Sequence, residues 1–169
     1  MFEINFNIRL RRYLRQKSSA EDTAVSVAFY HYALHRSPDK NMSKSKIVCV
    51  DFDGTCVMHE YPKIGEDAPN AVNVLKKLNE NQVKIILWTI RSGEYLQEAV
   101  DWFAEREIEI WAVNKNPNQR FWSKSPKAYA PVYIDDAALG CPLKLSAEKL
   151  RPVADWFEIE KLLKEIDYL

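Results

Sequence analysis

From Lys46 onward the chain alternates unbroken apolar runs with amphipathic stretches. Short apolar runs bounded by turn signals suit buried strands, and a 3.6-residue apolar period suits helices. Ile47–Val50 is such a run, and it stops abruptly at Asp51. Phe52–Glu66 is irregular and holds Gly54, Pro62 and Gly65. Asp67 is placed to cap a helix with Pro69 near its first turn, and Ala71, Val74, Leu75 and Leu78 share one face. Val83–Trp88 reads as a second strand, apolar apart from Lys84. Ser92 opens a second helix, with Leu96, Ala99, Val100 and Phe103 on one side. Ile108–Val113 is a third strand, Asn114–Ser125 a long polar loop, Pro131–Ile134 a fourth strand and Leu143–Leu145 a short fifth. Val153, Trp156, Ile159, Leu162, Leu163 and Ile166 mark a closing helix. Strands alternating with helices imply βαβ units. The expected class is therefore α/β, a three-layer Rossmann-like, mainly parallel sheet with helices on both faces, over residues 46–169.

Residues 1–45 read differently, as an N-terminal extension. Arg9, Arg11, Arg12, Arg15 and Lys17 make a basic run, and Ser19–Asp22 resembles a capping box. Val25, Ala28, Phe29 and Tyr32 then fall at helical spacing, and Ser37–Asn41 stops that helix. Met42–Lys46 is a polar linker or an alternative start. An appended helix is the plainest reading. A basic amphipathic helix for a partner or surface, and an organelle-targeting segment, are the alternatives.

Composition narrows the class further. A hydrophobic fraction of 47% in 169 residues is enough for a core. Zero formal net charge gives no general electrostatic case for nucleic acid, although it does not exclude it. No apolar run approaches the roughly 18 residues of a membrane-spanning helix. Cys49, Cys56 and Cys141 form neither a disulfide framework nor a zinc spacing. With no secretory leader in view, the expected location is cytoplasmic.

The chemistry lies at strand ends. Asp51 and Asp53 follow the first strand, Thr89 the second, and Asp135–Asp136 the fourth, while Lys127 precedes the fourth. A parallel sheet carries such ends to one rim, where ligands bind. Four carboxylates there repel one another unless a cation joins them. Oxygen-only ligation with phosphate suits Mg²⁺. Gly54 has a backbone reason to be glycine, because the turn must bring the acids together.

Asp51-Phe52-Asp53-Gly54-Thr55 resembles the first motif of the haloacid dehalogenase superfamily of phosphatases. Thr89, closing Ile85–Thr89, is similar to the second motif, and Tyr133-Ile134-Asp135-Asp136 to the fourth. The order is right, and the resemblance covers about residues 46–145. It implies that Asp51 attacks the phosphoryl group to form an aspartyl-phosphate. It implies that Asp53 protonates the leaving oxygen and then activates water. Mg²⁺ would be held by Asp51, the Asp53 carbonyl, Asp135 and Asp136, with the Thr89 hydroxyl on a phosphoryl oxygen. The third motif is a lone lysine. Lys127, eight residues before Asp135, is preferred to Lys115 and Lys124. Gly54, Thr55 and Arg91 are expected beside the substrate. His59, Glu60 and Tyr61 lie in the flap of this family.

Neither of the usual insertion points has room for a cap domain. Thirteen residues, 54 to 66, separate Asp53 from Asp67, and one helix, one strand and one loop fill the stretch from Thr89 to Lys127. The expectation is a small, capless phosphomonoester hydrolase with an open site. Its substrate would be a phosphorylated small molecule or polymer end. Phe121 and Trp122 in the 114–125 loop would either stack on that substrate or pack on the sheet. A regulatory module phosphorylated on aspartate, or a phosphoryl transferase on the same scaffold, is the alternative.

Overall fold

A computed structural model describes residues 46–146 and 149–169. The expected extension over residues 1–45, with its basic run and helix, lies outside the described residues. Four strands form the main sheet: β1 (Ile47–Val50), β2 (Lys84–Leu87), β3 (Ala112–Val113) and β4 (Val132–Ile134). Their order is β3-β2-β1-β4, and every pairing is parallel. Helix α1 (Ala71–Glu80) joins β1 to β2, and α2 (Gly93–Glu105) joins β2 to β3. Helix α3 (Trp156–Glu165) closes the chain. This is the α/β, Rossmann-like, mainly parallel class that the alternating pattern implies, but among the described residues the helices pack on one face of the sheet and not on both, because the β3–β4 connection is a loop.

Side chains alternate across a strand, so each strand feeds two packing layers. Val48, Val50, Ile85 and Leu87 pack with Ala71 and Leu75 of α1, Ala99 and Phe103 of α2, and Trp156 and Leu163 of α3. Ile47, Cys49 and Ile86 point the other way, against Ala128 and Ala130, with Trp88 and Trp111 partly buried beside them. Among the described residues the chain between β3 and β4 covers this second layer. That chain crosses the sheet from the β3 edge to the β4 edge as a loop with a short 3-10 turn at Gln119–Phe121.

Local boundaries move for identifiable reasons. Helix α1 starts after Asn70, whose φ is 69°, and not at Asp67. The Asp67 carboxylate instead accepts from Trp102 Nε1 at 2.8 Å and Arg106 Nε at 3.0 Å, tying the flap to α2. The third strand shortens to two residues because Ile108 turns into the core, with its N–H on the Phe103 carbonyl. The fifth strand (β5, Leu143–Ser146) does not join the main sheet. It pairs antiparallel with a sixth, β6 (Lys149–Ala154), and this hairpin takes Val153 out of the closing helix. Asp155 caps α3, accepting from the Phe157 and Glu158 N–H groups. No described helix is long and apolar enough to cross a membrane.

Candidate active site

β1 delivers the first acids. The Asp51 N–H donates to the Ile134 carbonyl at 2.9 Å, so the β1–β4 ladder runs right up to the rim. Gly54, at φ +88°, then turns the chain back. A Cβ at Gly54 would sit 2.5 Å from Asp136 Oδ2, so only glycine lets the two acidic loops meet. Buried Thr55 joins them: its hydroxyl donates to Asp51 Oδ2 at 3.1 Å and accepts from the Asp136 N–H at 3.0 Å. The turn is held from below as well, because buried Trp156 donates to the Thr55 carbonyl at 2.7 Å and the Ala154 N–H to the Gly54 carbonyl.

Carboxylate oxygens of Asp51, Asp135 and Asp136 all lie within 4.8 Å of one another. Burial pushes Asp51 up to about 7, and the Asp135 and Asp136 charges add to that, against the opposing hydrogen bonds from the Phe52 N–H and Thr55. Such a group is stable as a carboxylate only when positive charge joins it. Three carboxylates on one rim, with no other donor type among them, fit a hard divalent cation such as Mg²⁺.

A cavity of about 350 Å³ opens over this cluster, lined by Asp51, Asp53, Thr89, Asp135, Asp136 and Arg151, among others. Thr89 is held in place by Asn114, which accepts from its N–H at 2.8 Å and donates to its carbonyl at 2.7 Å. The Thr89 hydroxyl oxygen accepts from the Arg91 N–H at 3.2 Å, which leaves the hydroxyl hydrogen to donate into the cavity.

Asp53 is arranged differently. Both of its oxygens accept from Arg91, from Nε and Nη2, each at 2.7 Å. The Arg91 side chain is fully buried. It also donates to the Pro62 and Lys63 carbonyls at 2.9 Å, and its guanidinium lies 5.2 Å from the ring centres of both Phe52 and Tyr61. Arg91 thus clamps the second acid to the flap, where the sequence had suggested a substrate contact. Gly54 and Thr55 are likewise buried, and their N–H groups bond to the Val57 and Phe52 carbonyls. None of the three lines the cavity.

Lys127 stays exposed, with Nζ 5.8 Å from the Tyr133 ring centre, and does not line the acid cavity. Lys115 and Lys124 line a separate cavity in the 115–128 loop. The cation that enters the acid cavity is Arg151, a residue that the sequence pattern did not single out. Its guanidinium donates to Asp136 Oδ2 at 3.2 Å and to His59 Nε2 at 3.0 Å, linking the hairpin to the flap. No local signal marks Arg151, because its position depends on a hairpin that the pattern did not reveal.

Among solved structures the chain is similar to a conserved protein from Bacteroides thetaiotaomicron, with 38% identity, 72% of this chain and 92% of that chain covered, and a TM-score of 0.60. The chain belongs to that protein's family. No family model and no curated protein matches it.

Proposed function

We propose that the protein is a Mg²⁺-dependent phosphomonoester hydrolase of the haloacid dehalogenase type. The observation that carries this reading is the meeting of Asp51, Asp135 and Asp136 within 4.8 Å, at the carboxyl ends of parallel strands and under an open cavity. Asp51, Asp135 and Asp136, with the Asp53 carbonyl, would hold Mg²⁺, whose charge offsets the repulsion between the Asp51 carboxylate and a phosphate dianion. Asp51 attacks phosphorus, and the bond to the ester oxygen breaks. Thr89 donates its hydroxyl to a phosphoryl oxygen, and Arg151 supplies the nearby positive charge. Asp53 gives a proton to the departing oxygen, then takes one from the water that cleaves the aspartyl-phosphate. To do so it must release at least one of its bonds to Arg91. Lys127 joins the phosphate only if its side chain swings in from the surface. The substrate is a phosphorylated small molecule or polymer end, since the described residues include no cap over the cavity. Three free cysteines fit a reducing cytoplasm.

The test is hydrolysis of p-nitrophenyl phosphate with Mg²⁺ by the full chain and by Asp51→Asn. The expected loss is on the order of a thousandfold or more. Equal turnover by the two proteins would refute the nucleophile assignment.

One observation favours a second reading. Because Arg91 occupies both Asp53 oxygens, a phosphorylated Asp51 would meet no free base. In that case the chain is a regulatory module that keeps its phospho-aspartate. Labelling with acetyl phosphate separates the two readings: a lifetime of seconds supports the hydrolase, and one of many minutes supports the module.

A further inference from the structure

The loop between β3 and β4 lines a second, open cavity of about 350 Å³. The charged side chains in its wall are all cationic. Lys115, Arg120 and Lys124 contribute cations, and no carboxylate lines it. Ser123 and Ser125 also line it; each hydroxyl oxygen already accepts a backbone N–H, from Ser125 at 3.1 Å and Lys127 at 3.2 Å. Their hydroxyl hydrogens are what remain.

The side chains that carry acceptors have used them to build the wall. Buried Asn116 accepts from the Asn118 N–H at 3.0 Å and donates to the Tyr129 carbonyl at 2.8 Å. Buried Gln119 accepts from the Tyr129 N–H at 2.7 Å and donates to the Ser125 and Lys127 carbonyls at 3.0 and 2.8 Å. The loop is thus cross-braced, and its cations are left over. Neither Lys115 nor Lys124 has an ion-pair partner among the described residues. Three like charges around one concavity repel unless an anion enters. Arginine and serine donors suit phosphate oxygens.

The position matters too. Asn114, which bonds Thr89 at the acid cavity, immediately precedes Lys115. The loop that lines this cavity therefore leaves the sheet at the carboxyl end of β3, on the residue that holds Thr89. We propose that this loop is an anion subsite for a second phosphoryl group, distinct from the one that reacts at Asp51, and that the substrate is a bisphosphorylated small molecule. The substrate part rests on the hydrolase reading; the anion site does not.

The test uses the full chain, labelled with ¹⁵N, and a Lys115→Ser/Lys124→Ser double variant. Inorganic phosphate is titrated without metal, at constant ionic strength, with chloride as the control. The expected result is that amides of residues 115–128 shift with phosphate, and that the double variant loses at least tenfold in affinity. No shift in the loop, an undiminished shift in the variant, or the same shift with chloride would overturn the site. A kinetic arm then compares a nucleoside 3′,5′-bisphosphate with the matching monophosphate. A preference of tenfold or more in kcat/KM that disappears in the variant, with monophosphate turnover unchanged, supports a substrate subsite. Loop binding without that preference overturns the substrate part and leaves a site for free phosphate. If neither ester is hydrolysed, the hydrolase reading fails, while the loop shifts still decide the site.

Discussion

Arg91 shows how much one side chain can organise here. Its guanidinium makes four hydrogen bonds, two to Asp53 and one each to the Pro62 and Lys63 carbonyls, and it lies beside two aromatic rings. Its side chain is 0% exposed and that of Asp53 is 11% exposed, so this is a buried ion pair. Removing one partner of such a pair leaves an uncompensated charge and costs about 3–5 kcal/mol, against total stabilities of about 5–15 kcal/mol. Arg91→Met is therefore expected to lower stability by that amount in chemical denaturation. The double variant Arg91→Met/Asp53→Asn should recover a good part of the loss, because the orphaned charge is gone. Losses that simply add would show that the two residues are not coupled. The sequence placed Arg91 just after Thr89 and near the substrate. It gave no sign of the inward turn, because the hydrogen-bond partners of the Arg91 guanidinium lie 28 to 38 residues earlier in the chain.

At the level of elements, the supports of the site come from the end of the chain. Helix α3 was legible from the spacing of Trp156, Ile159 and Leu163, all of them buried. Its role under the site was not, because the bond from Trp156 to the Thr55 carbonyl spans 101 residues. The hairpin β5–β6 was hidden by Pro152, which demotes a strand, and by Val153, which matches the helical period that follows. A two-stranded ribbon tolerates that proline, because each of its strands is an edge. Helix α3 is locked to α1 by Glu160, which accepts from Lys77 and Lys164 at 2.9 Å and from Asn70 at 3.1 Å. Hydrogen bonds from Lys164, Lys77 and Asn70 hold its carboxyl down at about 2. The group is depressed, so its contribution is complete above its ordinary value near 4.5 and is lost as pH falls through about 2. Glu160→Gln should cost about 1 kcal/mol at pH 7, allowing for solvent screening, and nothing once the carboxyl is protonated. Thermal melts from pH 7 down to 2 read this directly. An equal deficit at both ends would assign the effect to packing.

Over the whole molecule, the sheet was the most legible feature, since the unbroken apolar runs of β1 and β2, buried on both faces, are local properties of the sequence. The convergence of Asp51, Asp135 and Asp136 was readable only through topology, which puts the ends of parallel strands on one rim. The bracing of the β3–β4 loop by Asn116 and Gln119 was not readable, because both pair with backbone that comes close only after folding. The same convergence links the stability of the sheet to pH and to metal. Asp51 is raised from 3.8 to about 7, so the folded protein keeps a proton that the unfolded chain releases. The contribution of this group is present in full below pH 3.8 and is lost as pH rises through about 7. Without metal, stability should therefore fall across that window, by on the order of 2–4 kcal/mol. Asp51→Asn should match the wild type near pH 4 and melt at a higher temperature at pH 8. Mg²⁺ binds only the folded rim, so at a hundred times its dissociation constant it should restore about 2.7 kcal/mol to the wild type at pH 8. It should restore little to Asp135→Asn, and its effect on the wild type should fade below pH 7 as protons compete for Asp51. A melting temperature indifferent to Mg²⁺ in every variant, together with a flat pH profile, would mean that the three acids are solvated surface groups. The cluster that defines the site would then have no part in holding β1 and β4 together.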